Sequence, residues 1–108
     1  MDWFHVHIKK FEVPGQRLFE LVFPAHAAVF DHVFQSGKKY CFLKIWTDMD
    51  GRYGADDFRE LEDFSVEINP FYDNEYILFS IHRFNDSMWT LSKKYENVHL
   101  VEARFLSY

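Results

Sequence analysis

Cysteine and glycine are scarce in this sequence of 108 residues. The single cysteine, Cys41, excludes an internal disulfide, whereas small secreted domains usually carry several cysteines. The four glycines form no glycine-rich run of the kind that cradles a phosphate group with backbone amides. We therefore expect a cytoplasmic protein without a nucleotide-binding loop.

Long apolar runs and concentrated basic segments are also missing. No stretch approaches the roughly 20 apolar residues of a membrane span. Residues 1–5 lack the basic segment followed by an apolar run that marks a signal peptide. The lysine pairs are well separated, whereas phosphate contacts need a concentrated basic surface. The sequence therefore predicts neither a membrane anchor nor a nucleic-acid partner.

Large aromatic side chains, in contrast, are abundant. The chain contains 13 Phe, 6 Tyr and 3 Trp, and hydrophobic residues make up 48% of it. This composition and length are typical of one globular domain, which we expect to span residues 1–108. The rings are too many for one small core, so we expect some at the surface, where Trp and Tyr often anchor partners.

Negative charge is concentrated in the middle of the chain. The net charge is −5, yet the segment from Asp48 to Glu75 holds ten acids and two bases, Arg52 and Arg59, for a net charge of −8. The rest of the chain therefore carries a net charge of +3. Clustered charge of one sign raises the local potential and speeds encounter with a surface of the opposite sign.

Residue periodicity predicts a hairpin at the start of the chain. Residues 2–13 alternate between apolar and polar side chains, as a strand does. Pro14-Gly15 fits the two central positions of a type II turn. Residues 16–23 form a second apolar run and are predicted to return as the hairpin partner. A helix beginning near Gln16 is the competing interpretation.

Helices are predicted at three places. The principal one runs from Pro24 to Gln35, because proline suits a first turn, apolar residues follow at helical spacing, and Gly37 suits the C-terminal cap. A short helix is predicted from Asp57 to Asp63, with Asp57 as its cap. The segment 86–94 is ambiguous, and a short helix is favoured there.

The remaining apolar segments predict strands, at residues 39–47, 64–68, 76–84 and 97–107. The first of them has large apolar residues on both faces, which is typical of a central strand. We expect an α+β fold: an antiparallel sheet of about five to six strands with one main helix packed on one face. The strand faces that this helix leaves over carry aromatic rings and histidines.

The acidic segment with its flanking aromatic side chains is the candidate partner-binding site. Tight interfaces combine charge, which steers encounter, with aromatic anchors. The residues expected to contact a basic protein are Trp46, Asp48, Asp50, Tyr53, Asp56, Asp57, Glu60, Glu62 and Asp63. The alternative interpretation is a loop and a helix whose acids simply face water.

No residue pattern predicts catalysis, a metal or a cofactor. A calcium loop with Gly51 at its sixth position would place Trp46 at the first, where an oxygen ligand is needed. Cys41 lies in the predicted central strand, where a buried thiol is unreactive. We therefore expect no catalytic residue, no metal and no cofactor, and a protein that is not an enzyme.

The histidines support a second hypothesis. His5 and His7 lie two residues apart on the predicted first strand and so point to one face. A third ligand from His82 or His99 would complete a zinc site there. Alternatively, His5, His7 and His82 would act as acid–base groups. On this hypothesis the chain is a small dimeric α+β enzyme, or a ligand- or metal-binding module, that uses the histidine- and aromatic-lined sheet face.

Small size, acidic charge, many aromatics and the lack of catalytic motifs together resemble, in general character, the immunity proteins that neutralise bacterial toxins. Many of those toxins are basic nucleases, and an acidic partner can occupy the cleft that binds phosphate. The resemblance is one of charge and size, with no shared motif. It implies an inhibitor of a basic protein, acting in a bacterial cytoplasm.

Overall fold

The architecture is α+β, with helices and strands that alternate in the second half of the chain. A computed structural model describes residues 8–21, 29–47, 53–70 and 73–102. Its elements are β1 (Phe19–Leu21), β2 (His32–Ser36), β3 (Lys39–Trp46), α1 (Ala55–Ile68), β4 (Asn74–Ser80), α2 (Asp86–Lys94) and β5 (Val98–Glu102).

The described strands form one five-stranded mixed sheet in the order β1-β2-β3-β4-β5. The first three strands pair antiparallel, and the last three pair parallel. Parallel neighbours need a long crossover connection, and here α1 and α2 provide it. The α+β class is confirmed, but the sheet of the described strands is mixed and has five strands, so the prediction of a purely antiparallel sheet of about five to six strands was wrong in its strand directions.

The predicted principal helix, Pro24 to Gln35, is wrong over the part that the structure describes, residues 29–35. Strand β2 occupies most of this segment and forms a tight hairpin with β3, in which Ser36 pairs with Lys39. Gly37 has φ of 61° and therefore lies in this two-residue turn, not at a helix cap. Val33 and Phe34 are both buried, one on each face of the sheet. In a strand that is covered on both faces, apolar residues stand next to each other in the sequence. The same arrangement occurs on the buried side of a helix, so the pattern also fits a helix.

Helix α1 is longer than the predicted helix from Asp57 to Asp63. Gly54 is the N-cap, and its backbone N–H donates to Asp57 Oδ2 at 2.8 Å. Phe58 and Leu61 face inward, as expected, and the helix continues to Ile68 before Asn69-Pro70 ends it. The predicted strand at residues 64–68 was therefore wrong: its apolar residues also fit the 3.6-residue period, which the tertiary contacts select.

The described residues before β1, 8–18, do not form the predicted hairpin with it. Ile8 and Lys9 are helical, so the strand prediction is wrong for the end of residues 2–13, while residues 1–7 lie outside the described residues. The Pro14-Gly15 turn is confirmed, because Gln16 N donates to Val13 O at 2.9 Å and Gly15 has φ of 80°. Strand β1 pairs instead with β2.

The core has two parts, one on each face of the sheet. Both helices pack on the face that carries Phe42, Tyr76 and Leu78. The buried residues of this part are Phe30, Val33, Phe42, Phe58, Leu61, Tyr76, Leu78, Phe84, Met88 and Val98. On the other face, Ile8 and Phe11 cover the strands. The buried residues there are Ile8, Phe11, Phe34, Cys41, Leu43 and Ile77.

The aromatic face that was expected to be left over is therefore the helix-covered face. Phe42, Tyr76 and Phe84 are almost completely buried there. The expectation was wrong because it placed the covering helix before β3. The helices that cover this face follow β3 and β4 in the sequence instead.

A buried polar network joins the end of α1 to the start of β4. Ser65 Oγ is hydrogen-bonded to the Tyr76 hydroxyl, which also accepts from Asn74 Nδ2 at 3.3 Å. Asn69 Nδ2 donates to Asn74 Oδ1 at 2.7 Å. Because buried polar groups need partners, this network fixes the register of α1 on the sheet.

The predicted helix at residues 86–94 is confirmed as α2, and the strands predicted at 39–47 and 76–84 are confirmed as β3 and β4 with slightly different bounds. The strand predicted at 97–107 is confirmed as β5 over Val98–Glu102, and residues 103–107 lie outside the described residues. Strand β3 is the central strand of the sheet, as expected. Among the described helices, neither α1 nor α2 has the length and hydropathy that a bilayer crossing requires.

Candidate partner-binding surface

Most of the acidic segment that the structure describes lies on helix α1. Asp56, Glu60, Asp63 and Glu67 follow one another at spacings of four, three and four residues, so their side chains line one side of the helix. All four are exposed. We call this row of four carboxylates the acidic ridge. At 1.5 Å per residue it extends for about 16 Å along the helix.

Helix α1 itself carries little positive charge. Arg59 is the only basic residue in the sequence of α1. Its Nη1 lies 3.5 Å from Asp56 Oδ1, and the two side chains are 72% and 97% exposed, so this ion pair is weak. Within the part of the chain that the structure describes, neither Glu60 nor Asp63 forms an ion pair. Their charges therefore remain available to a partner.

Two further predicted residues lie on the flanks of α1. The Asp57 carboxylate accepts from the Gly54 backbone N–H, so it helps to begin the helix. Glu62 points to the side of α2 and lines a groove of about 290 Å³ with Arg59 and Lys94. Two other predicted contact residues, at positions 48 and 50, lie outside the described residues. The structure thus places Asp57 and Glu62 beside the acidic ridge and not on it.

The two predicted aromatic anchors pack on each other. The rings of Trp46 and Tyr53 stack with centroids 4.4 Å apart and planes 12° apart, and Phe84 meets the Trp46 ring edge-on at 6.2 Å. Both Trp46 and Tyr53 are half-buried. They connect the end of β3 to the start of α1, so part of their surface supports the fold and part borders the site.

A pocket of about 190 Å³ brings three of the predicted residues together. Trp46, Asp57 and Glu60 line it. The other lining residues are Val29, Lys44, Leu61 and Phe64. We call it the Trp46 pocket. Since Glu60 also belongs to the acidic ridge, the pocket opens beside that ridge.

Sequence reasoning missed Lys44, Leu61 and Phe64 as site residues. Lys44 alternates with Phe42 and Trp46 on the face of β3 that packs against the helices, and a lysine among such large apolar residues was the available signal. Leu61 was predicted only to face inward, and Phe64 to flank the acidic segment at the start of a strand. Both join the pocket through the packing of α1 on the sheet.

The acidic ridge costs the helix stability. Like charges three or four residues apart on a helix destabilise it by roughly 0.2–0.5 kcal/mol per pair, and Asp56–Glu60, Glu60–Asp63 and Asp63–Glu67 are three such pairs. Glu67 also lies in the last turn, where the helix dipole disfavours a negative charge and where α1 has no basic residue. The like-charge pairs therefore weaken the helix, whereas the helix dipole favours Asp56 in the first turn.

The thiol is buried, as expected. Burial in an apolar environment raises the pKa of Cys41 to about 12, and the negative charge of Glu75 adds to the effect. Cys41 is 1% exposed. A thiol that stays protonated and out of solvent does not act as a nucleophile.

The histidines do not converge in the described part of the chain. No group of three metal-binding side chains occurs among the described residues. His99 Nε2 bonds Glu75 Oε1 at 2.9 Å, and His82 Nε2 is buried without a hydrogen-bond partner. The predicted pair at positions 5 and 7 lies outside the described residues.

Comparison with known proteins assigns no relative. No family model matches the chain, and no curated protein or solved structure shows significant similarity to it.

Proposed function

We propose that this chain is a protein-binding inhibitor that neutralises a basic partner through helix α1. The class of partner that fits best is a basic toxin such as a nuclease, so the chain would act as an immunity protein in the bacterial cytoplasm. The proposal depends on one observation: four exposed carboxylates line one side of α1, and the only base on the helix is Arg59.

The acidic ridge suits this role electrostatically. A nucleic-acid strand presents its charges in a line, and proteins that bind it do so with lysines and arginines that contact successive phosphates. A row of carboxylates about 16 Å long is also a linear set of negative charges, and the same basic surface can bind it. It would steer encounter and then cover the surface that the phosphates need.

The stability cost of the acidic ridge also supports a binding role. Asp63 faces two like charges on its own helix, and Glu67 opposes the helix dipole. A basic partner would relieve both effects on binding. A helix whose only task is to cover the sheet would be more stable with lysines among these positions.

The experiment is a comparison of matched baits. The full chain would be immobilised as the natural sequence, as Asp63→Lys/Glu67→Lys, and as Asp73→Lys/Glu96→Lys. Both double variants change the net charge by the same amount, and all four positions are exposed. Proteins captured from bacterial lysate would be identified, purified and tested for an enzymatic activity that the natural chain inhibits.

The proposal expects one basic protein on the natural and Asp73→Lys/Glu96→Lys baits that is lost from the Asp63→Lys/Glu67→Lys bait. The purified pair should associate more slowly as salt rises, since screening shortens the reach of the field to about 8 Å at physiological ionic strength. Equal capture by both double variants, or a captured protein whose activity the chain leaves unchanged, would refute it.

A further inference from the structure

We infer that the Trp46 pocket receives one arginine side chain of the partner. The inference rests on the proposed function, because it names the group that the partner inserts beside the acidic ridge. The observation behind it is that one small pocket joins a tryptophan, two carboxylates and an apolar wall.

The chemistry of the lining matches both parts of an arginine side chain. Val29, Leu61 and Phe64 form an apolar wall for its methylene stem. Asp57 and Glu60 supply carboxylates for the guanidinium group, whose fork of donors matches carboxylate oxygens. Asp57 uses Oδ2 for the Gly54 backbone N–H, so its Oδ1 is the oxygen that would face the ligand.

The size of the pocket points to a side chain and not to a whole small molecule. Its volume of about 190 Å³ is below the roughly 300 Å³ at which pockets for drug-sized ligands begin. The Trp46 ring is held in place by Tyr53 on one face and by the edge of Phe84. A ring fixed in this way loses little entropy when a guanidinium packs against the part of it that lines the pocket.

Lys44 is the one lining residue whose charge opposes an arginine. The direction in which Lys44→Gln changes the binding affinity therefore distinguishes a cationic ligand from an anionic one. If the ligand is a cation, Lys44→Gln removes a repulsion and tightens binding. If the pocket instead receives a carboxylate of the partner, the same change removes an attraction and weakens binding.

The test uses three peptides that differ in one side chain: acetyl-Gly-Arg-Gly-amide, its lysine counterpart and its neutral citrulline counterpart. Each would be titrated into the isotope-labelled full chain, with the amide signals of Asp57 and Glu60 and the indole signal of Trp46 followed by NMR. The same titrations on Glu60→Gln, Lys44→Gln and Asp63→Asn separate the pocket from the rest of the acidic ridge.

The arginine peptide should shift the three signals saturably and bind about tenfold more tightly than the lysine and citrulline peptides, the effect expected of one charge-assisted hydrogen bond. Glu60→Gln should weaken its binding about fivefold, Lys44→Gln should tighten it, and Asp63→Asn should change it little. Equal binding of the three peptides, shifts confined to other residues, or weaker binding to Lys44→Gln would each overturn the inference.

The peptide experiment tests the arginine pocket and the bait experiment tests the proposed function, so each can be refuted without the other. If ridge-dependent capture succeeds but the arginine peptide does not bind at Trp46, only the arginine pocket is refuted. If the peptide binds as expected but no basic protein distinguishes the two double-variant baits, the proposed function is refuted and the pocket is retained as an arginine-binding site.

Discussion

Trp46 and Tyr53 stack face to face, with ring centroids 4.4 Å apart and planes 12° apart. Trp46 is the last residue of β3, and Tyr53 directly precedes Gly54, the N-cap of α1. The stack therefore joins the two ends of the connection between strand and helix. It sets the position at which α1 begins over the sheet, and with it the position of the Trp46 pocket.

Removing the Tyr53 ring should destabilise the protein. Tyr53→Ala is expected to lower the free energy of unfolding by about 2 kcal/mol, because it exposes one face of Trp46 and removes an aromatic pair. Tyr53→Phe keeps the ring and should lose less than half of that. Urea unfolding monitored by tryptophan fluorescence measures both. Equal losses in the two variants would show that the hydroxyl, and not the stack, provides the stabilisation.

Reversing one charge of the acidic ridge should stabilise the isolated protein. Asp63→Lys replaces repulsions with Glu60 and Glu67 by attractions, which outweigh its new repulsion with Arg59. The change is expected to add about 0.5 kcal/mol and to raise the Tm by about 2–4 °C. Glu96→Lys, an exposed position outside both helices, is the matched control and should leave the Tm unchanged. Calorimetry at low salt measures the difference. A lower Tm for Asp63→Lys would mean that the ridge stabilises α1.

The buried bond between Ser65 and Tyr76 should appear as a coupling energy. Tyr76→Phe removes the hydroxyl that Ser65 and Asn74 bond, and is expected to cost about 1–3 kcal/mol because it leaves buried polar groups unpaired. Ser65→Ala should cost a similar amount. The double variant should lose clearly less than the sum of the two, as measured by a double-mutant cycle in urea. Additive losses would contradict the shared bond.

Stability should fall in alkaline solution because of Cys41. Burial raises the pKa of this thiol from 9.0 to about 12 in the folded protein, so the unfolded chain releases its proton first. Its contribution to stability is complete below pH 9 and is lost as the pH rises from 9 to about 12. Burial also raises the pKa of Tyr76 above 10.0, which acts in the same direction.

Urea unfolding between pH 8 and pH 11 checks this dependence. Cys41→Ala should show a shallower decline above pH 9 than the natural chain, even though its stability at pH 7 is lower because of the cavity it leaves. Identical slopes in the two proteins would show that Cys41 does not contribute to the alkaline transition.

Parts of the fold were predictable from local pattern. Strand β3 was predicted because its alternating residues are apolar on both faces, whereas the segment that forms α2 was ambiguous, with a short helix favoured. The hairpin partner and the principal helix were predicted wrongly. In Val33 and Phe34, apolar residues stand side by side, and such a pair fits a helix face as well as a doubly covered strand.

The charge of the candidate site was predictable from the sequence, but the arrangement of its side chains was not. The acids of α1 were identified, and Asp56, Glu60 and Asp63 were among the expected contacts. Glu67 was not among the expected contacts because residues 64–68 were predicted as a strand. A strand would not have placed the Glu67 side chain in line with the acids of the helix. The helical period places it in line with the other three.

Composition and local order by themselves determined that this chain has a single thiol, a surplus of aromatic rings and a strongly acidic central segment. These are properties of residue type and neighbourhood, which no fold can alter. Only the tertiary structure decided that the sheet is mixed, that both helices cover the same face, and that Lys44 meets Asp57 and Glu60 in one pocket. Such contacts join residues that are distant in sequence, and they depend on which of several compatible periods buries the most apolar surface.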